Sequence, residues 1–101
     1  MIHVVAQIAL TPNSRKDFLV EFNQVVPPVR AEAGCIEYAA AVDASTDLER
    51  QHRDPDCVTI IEKWETLEHL QDHLNSSHML LYRERVGGMI SHVQLNILDP
   101  A

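Results

Sequence analysis

Positive charge is scarce in this chain. Eight lysines and arginines stand against fifteen aspartates and glutamates, a net charge of -7, and no basic cluster offsets that balance. Binding to a nucleic-acid backbone or to an anionic membrane surface is therefore disfavoured. Long apolar runs are missing too. None approaches the roughly 18 residues of a membrane-crossing helix, so no membrane insertion is expected. The apolar stretch after Met1 is short and alternating, with no basic segment before it, unlike a secretion signal. Cysteine is limited to Cys35 and Cys57, each at the start of a candidate strand with no neighbouring basic helix terminus to favour a thiolate. Reduced packing thiols in a cytoplasmic protein are expected. No glycine-rich phosphate loop, nucleophile elbow or zinc-binding cysteine set occurs, so a redox enzyme built on this chain has no nucleotide cradle.

What is present reads as one folded domain over residues 1–101. Hydrophobic residues make up 46% and charged residues 23%, ordinary globular values. Ile2–Leu10 alternates, with Ile2, Val4, Ala6, Ile8 and Leu10 on one face, which predicts a strand. After Thr11-Pro12-Asn13, Ser14 and Asp17 form a helix start. Phe18, Phe22, Val25 and Val29 then make one apolar stripe. Pro27-Pro28 is expected to kink or split this helix and Gly34 to cap it. Cys35–Val42 and Cys57–Trp64 read as strands joined by a polar loop over 43–56. Thr66 caps a short helix with Leu67, Leu70 and Leu74 as its buried stripe. Ser76 or Ser77 caps another with Met79, Tyr82 and Val86 inward, ended by Gly87-Gly88. His92–Leu98 alternates again.

Strand, helix, strand, strand, helices, strand is the order of a split βαβ pair. It predicts an α+β, ferredoxin-like protomer whose four-stranded antiparallel sheet carries helices on one face. His3, Gln7, His92, Gln94 and Asn96 then turn to the other face. The third strand is apolar on both sides, through Val58 and Ile60 and through Thr59 and Ile61. Such a strand needs cover on both faces, which predicts a homodimer.

The densest chemistry lies between Cys57 and Met79, where Glu62, Trp64, His69, His73 and His78 fall close together. Trp64 reads as a core aromatic or as a flat wall for an aromatic ligand. His69 and His73 have the i, i+4 spacing of metal ligands, but a third ligand has to be recruited from Glu62 or His78, so no metal is expected. His73 flanks the leucine stripe and fits either a structural or a pocket role. His78, in the first turn of its helix, suits a neutral proton acceptor or a partly buried packing residue.

Arg30–Tyr38 (RAEAGCIEY), Ile61–Leu74 (IEKWETLEHLQDHL) and Ser76–Met79 (SSHM) resemble the antibiotic biosynthesis monooxygenase family, over nearly the whole chain from Ile2 to Pro100. VVPPVR, AAAVD and NILDP are most similar to its small bacterial quinol monooxygenase branch. The resemblance implies a dimeric α+β barrel with a pocket between sheet and helices. It implies oxygenation of a quinol or polycyclic aromatic by O2, with no flavin, haem or metal cofactor. Carried onto this sequence, it makes His73 and His78 the catalytic pair, with Trp64, Tyr38, Gln7 and Glu62 lining the substrate. Haem degradation, found in another branch of the family, is disfavoured, because Arg83 stands where that branch places its histidine iron ligand. Isomerisation of a small metabolite on the same scaffold, or non-catalytic ligand binding, are the alternatives.

Overall fold

The computed structural model describes residues 1–101. Its elements are β1 (Ile2–Leu10), α1 (Arg15–Arg30), β2 (Cys35–Ala41), β3 (Cys57–Trp64), α2 (Leu67–Leu74), α3 (Ser77–Val86), a 3-10 turn (Gly87–Met89) and β4 (Ile90–Leu98). The strands form one antiparallel sheet in the order β2-β3-β1-β4, the ferredoxin-like arrangement anticipated from the element order. No helix is long and apolar enough to cross a membrane.

Alternation decides which side chains meet the helices. Val4, Ala6, Ile8 and Leu10 of β1 and Val58, Ile60, Glu62 and Trp64 of β3 are buried under them. The α1 stripe of Phe18, Phe22, Val25 and Val29 is buried as its spacing predicts, and Phe22 stacks on Tyr38 of β2 at 5.3 Å. The strand β4 behaves differently. Its register places Val93, Leu95 and Ile97 beside Ile8, Ala6 and Val4, on the helix-facing side. All three are nevertheless exposed, because β4 is the edge strand and lies beyond the helical cover.

Several local expectations change. The helix α1 runs unbroken through Pro27 and Pro28. Both prolines are exposed, and the carbonyls they leave without donors belong to exposed Asn23 and Gln24, where solvent can serve. Ser14 occupies the N-cap, but its hydroxyl pairs with Thr11 Oγ1 and not with a helix N–H. The helix stops at Arg30, and Gly34 makes the later turn into β2 with φ +80°. In α2, Leu67 is exposed, and His73 joins Leu70 as the buried pair. The hydroxyl of Ser76 donates to the carbonyl of His73, tying α2 to the start of α3. Cys35 pairs with Trp64 in the sheet register, at the far end of β3 from Cys57. Seven residues of strand separate the two ends by about 23 Å, so the two thiols cannot bridge.

Gly34 carries a testable consequence. A Cβ there would lie 2.2 Å from the ring of His69, on a backbone that L side chains rarely adopt. Gly34→Ala is expected to destabilise the fold by about 2 kcal/mol or more through strain at the left-handed position and displacement of His69, measured by urea unfolding.

Candidate active site

Between the sheet and α2–α3 lies a cavity of about 300 Å³. Eleven of its fourteen lining residues are hydrophobic, including Ile60, Met79, Val86, Val93 and Leu95. The polar lining consists of Glu62, His73 and Arg83, with the hydroxyls of Tyr38 and Tyr82 available from the aromatic walls. An apolar enclosure with a few convergent polar groups is the usual form of a small-molecule site.

Glu62 lies on β3 with its side chain on the helix-facing side, because it shares the parity of Val58, Ile60 and Trp64. Its Oε1 accepts the indole Nε1–H of Trp64 at 2.9 Å. Burial pushes the Glu62 carboxyl up to about 6, with the nearby Glu32 charge adding to the rise and the Trp64 donor opposing it. A carboxylate with this affinity takes a proton readily near neutral pH. His73 is 1% exposed and packs at 4.6 Å from the Trp64 ring and 5.4 Å from Tyr38. Its Nδ1 is 2.8 Å from Glu32 Oε2, and its Nε2 faces Glu62 Oε1 at 3.9 Å. Burial lowers its basicity against the opposing effect of Glu32, so the ring favours the neutral form. Nδ1–H then donates to Glu32, and the Nε2 lone pair faces Glu62. Burial, followed by the Glu62 charge, raises both Tyr38 and Tyr82, which keeps them as protonated phenols.

The structure redistributes the residues singled out in the sequence. Tyr38, Glu62 and His73 line the cavity together. Trp64 does not: it is fully buried behind His73, where it holds Glu62 and offers no face to a ligand. His78 is turned away, with its Nε2 2.8 Å from Glu32 Oε2 and its ring lining a separate outer groove between α1 and α3. Gln7 stands on the open face of the sheet, paired with Thr59 and Gln94, and does not border the cavity. His69 bonds the Thr66 hydroxyl. None of residues 43–56 lines the cavity; aspartates pin that connector, as when Asp56 Oδ1 accepts the Asn13 N–H at 3.0 Å.

Glu32 and Arg83 were not picked out as site residues from sequence. Glu32 sits in the turn after α1, and only the fold brings it to His73, 41 residues away. Arg83 reaches the cavity rim and donates to the carbonyl of Leu74. The donor atoms of Glu32, His73 and His78 lie within 4.8 Å of one another, close enough to converge on a transition-metal ion. They already satisfy each other by hydrogen bonds, which accounts for the cluster without one.

The place of Trp64 changes what its substitution should do. Trp64→Phe removes the donor that opposes the rise at Glu62 and opens a gap behind His73. The acid limb of the rate profile is expected to move to higher pH, with a stability loss of about 1–3 kcal/mol. Rate against pH and thermal unfolding check the two parts separately.

Comparison with known proteins agrees with this architecture. The family model described as antibiotic biosynthesis monooxygenase matches residues 1–85. The Escherichia coli (strain K12) protein named "Probable quinol monooxygenase YgiN" is 37% identical over 102 residues, spanning 99% of this chain and 98% of that protein. The structure of Rv0793 from Mycobacterium tuberculosis superposes with a TM-score of 0.82 at 26% identity, over 99% of this chain and 94% of that one. PA3566 from Pseudomonas aeruginosa gives a TM-score of 0.82 at 25% identity, over 99% and 93%. With a family match over most of its length and a full-length relative at 37% identity, the chain belongs to the antibiotic biosynthesis monooxygenase family.

Proposed function

We propose that this protein is a quinol monooxygenase that uses O2 without a bound cofactor, with Glu62 as the base. The observation that carries the reading is a carboxylate of raised proton affinity set in the wall of an apolar cavity. The cavity of about 300 Å³ suits a ligand of one or two fused rings. Glu62 removes a phenolic proton, and the quinolate so formed is reducing enough to pass an electron to O2. The apolar walls shield the charged intermediate from water. For a reduced naphthoquinone the balance closes: one oxygen atom enters the ring, and the other leaves as water. Two electrons come from oxidation of the quinol and two from the ring C–H that becomes C–OH. Trp64 holds Glu62 through its indole N–H, and His73 receives the proton from Glu62.

Oxygen uptake with a reduced naphthoquinone and chelator-treated protein tests this, against a no-protein control for autoxidation. Excess uptake with one atom of labelled oxygen in the ring is the expected result. Absence of excess uptake would sink the reading in favour of isomerisation or simple binding.

The protein acts as a homodimer in this reading. The support is the apolar surface left bare on one protomer, namely Ile61 on the open face and Val93, Leu95 and Ile97 on the edge strand, the first two of these at the cavity mouth. Edge strands of this kind call for cover. Sedimentation is expected to give a dimer at micromolar concentration, and a well-folded monomer would contradict it.

A further inference from the structure

Beyond the cavity, a line of titratable groups continues to the surface. Glu62 Oε1 faces His73 Nε2 at 3.9 Å, His73 Nδ1 lies 2.8 Å from Glu32 Oε2, and the same oxygen lies 2.8 Å from His78 Nε2. Carboxylate and imidazole alternate along this line. Side-chain exposure runs from 9% at Glu62 and 1% at His73 to 14% at Glu32 and 27% at His78. His78 opens on the outer groove of about 90 Å³, beside Glu21, Tyr82 and Arg85. The line leaves the cavity at its inner wall and ends at solvent on the far side of α3.

We propose that Glu62, His73, Glu32 and His78 form a proton relay that carries the substrate's proton from the cavity to the outer groove. The proposal rests on the reading of Glu62 as the base. An aromatic ring filling the cavity leaves Glu62 with His73 as its polar neighbour able to accept a proton. Tyr38 and Tyr82 remain phenols, and Arg83 has no lone pair to offer.

The steps balance, and no electron moves. The Glu62 O–H breaks as its proton passes to His73 Nε2, and the Nδ1 proton of His73 passes to Glu32 Oε2. His78, whose Nε2–H holds the Glu32 carboxylate at rest, exchanges through water to its Nδ1–H tautomer, takes the Glu32 proton on Nε2 and releases its Nδ1 proton to water. Once product has left and water refills the cavity, His73 gives its Nε2 proton to that water and takes one on Nδ1 from the outer solvent through His78 and Glu32, which restores the starting tautomers. At 3.9 Å the first gap exceeds hydrogen-bond range, so transfer needs an approach of about 1 Å. The charged and titratable groups around His73 are Glu32, Glu62, Tyr38, His78 and Arg83, and those around His78 are Glu32, His73, Glu21, Tyr82 and Arg85.

The test is steady-state oxygen uptake by His78→Ala and Glu32→Gln, first in dilute non-transferring buffer and then with added imidazole. Unchanged melting temperatures first establish that both variants fold. The expected result is a fall in kcat of about tenfold or more with KM unchanged. Imidazole, which can enter the open groove, should restore His78→Ala and leave the loss in Glu62→Gln unrelieved. Wild-type kcat in His78→Ala at every buffer concentration would overturn the relay and leave the base assignment standing. A loss that imidazole does not relieve would also overturn it, making His78 structural. No uptake by the wild type would remove the base assignment and the relay together.

Discussion

Glu62→Gln is expected to lower kcat by about 10²–10⁴-fold, the contribution of a well-placed base, while making the protein more stable. Glutamine keeps the shape and still accepts the Trp64 indole N–H, so the packing around it survives. What it loses is the ability to take a proton. The wild-type rate should rise with pH through about 6, where Glu62 ionises, and level off above. The variant should show no such limb. Stability moves the other way because the folded carboxyl sits above its ordinary value of 4.5. Its contribution is fully present below 4.5 and is lost as pH rises through about 6, so at pH 7 the buried charge is a burden. The difference corresponds to about 2 kcal/mol, and chemical denaturation of both proteins at pH 7 measures it. A fully active Glu62→Gln would remove the carboxylate from the mechanism.

The second large effect belongs to His73. His73→Ala removes a buried ring that packs on Trp64 and Tyr38 and separates two carboxylates, Glu62 and Glu32. A stability loss of about 2–4 kcal/mol follows from the vacated volume and the lost hydrogen bond to Glu32, which keeps only His78. Activity should fall at least as far as in the relay variants. The folded state holds His73 below its ordinary 6.5, so its contribution is present above that pH and is lost as pH falls beneath it. Glu62 acts oppositely in the overlapping window, gaining stability as pH falls from about 6 toward 4.5. Glu62→Gln should therefore show a steeper acid loss below pH 6.5 than the wild type. Denaturation series at pH 7, 6 and 5 would reveal it, and parallel curves would contradict the raised proton affinity of Glu62.

The local periodicities already contained the architecture. Period-two alternation in Ile2–Leu10 and the apolar run Cys57–Trp64 marked both strands to their ends, and the four aromatic and aliphatic residues of α1 marked its buried face. Those signals are legible because each depends on neighbours within two turns of chain. The family followed from the same local order of short motifs. Tyr38, Glu62 and His73, which line one cavity, stood out for a related reason, since each lies in one of those motifs.

The division of labour among them was not legible. Trp64 has the same local signature whether it faces a ligand or stands behind a histidine, and only the packing of α2 over β3 placed it behind. Gln7 is the exception: the parity of β1 already turned it to the open face, and it is the lining role implied by the resemblance that the cavity does not use. His78 was separated from the cavity, and Glu32 drawn in, by a contact spanning 46 residues that no periodicity encodes. Sequence alone determined the elements, their order and the family, because those rest on local geometry. Tertiary structure decided which carboxylate borders the cavity and which groups connect it to solvent, because those depend on distances that close only when the chain is packed.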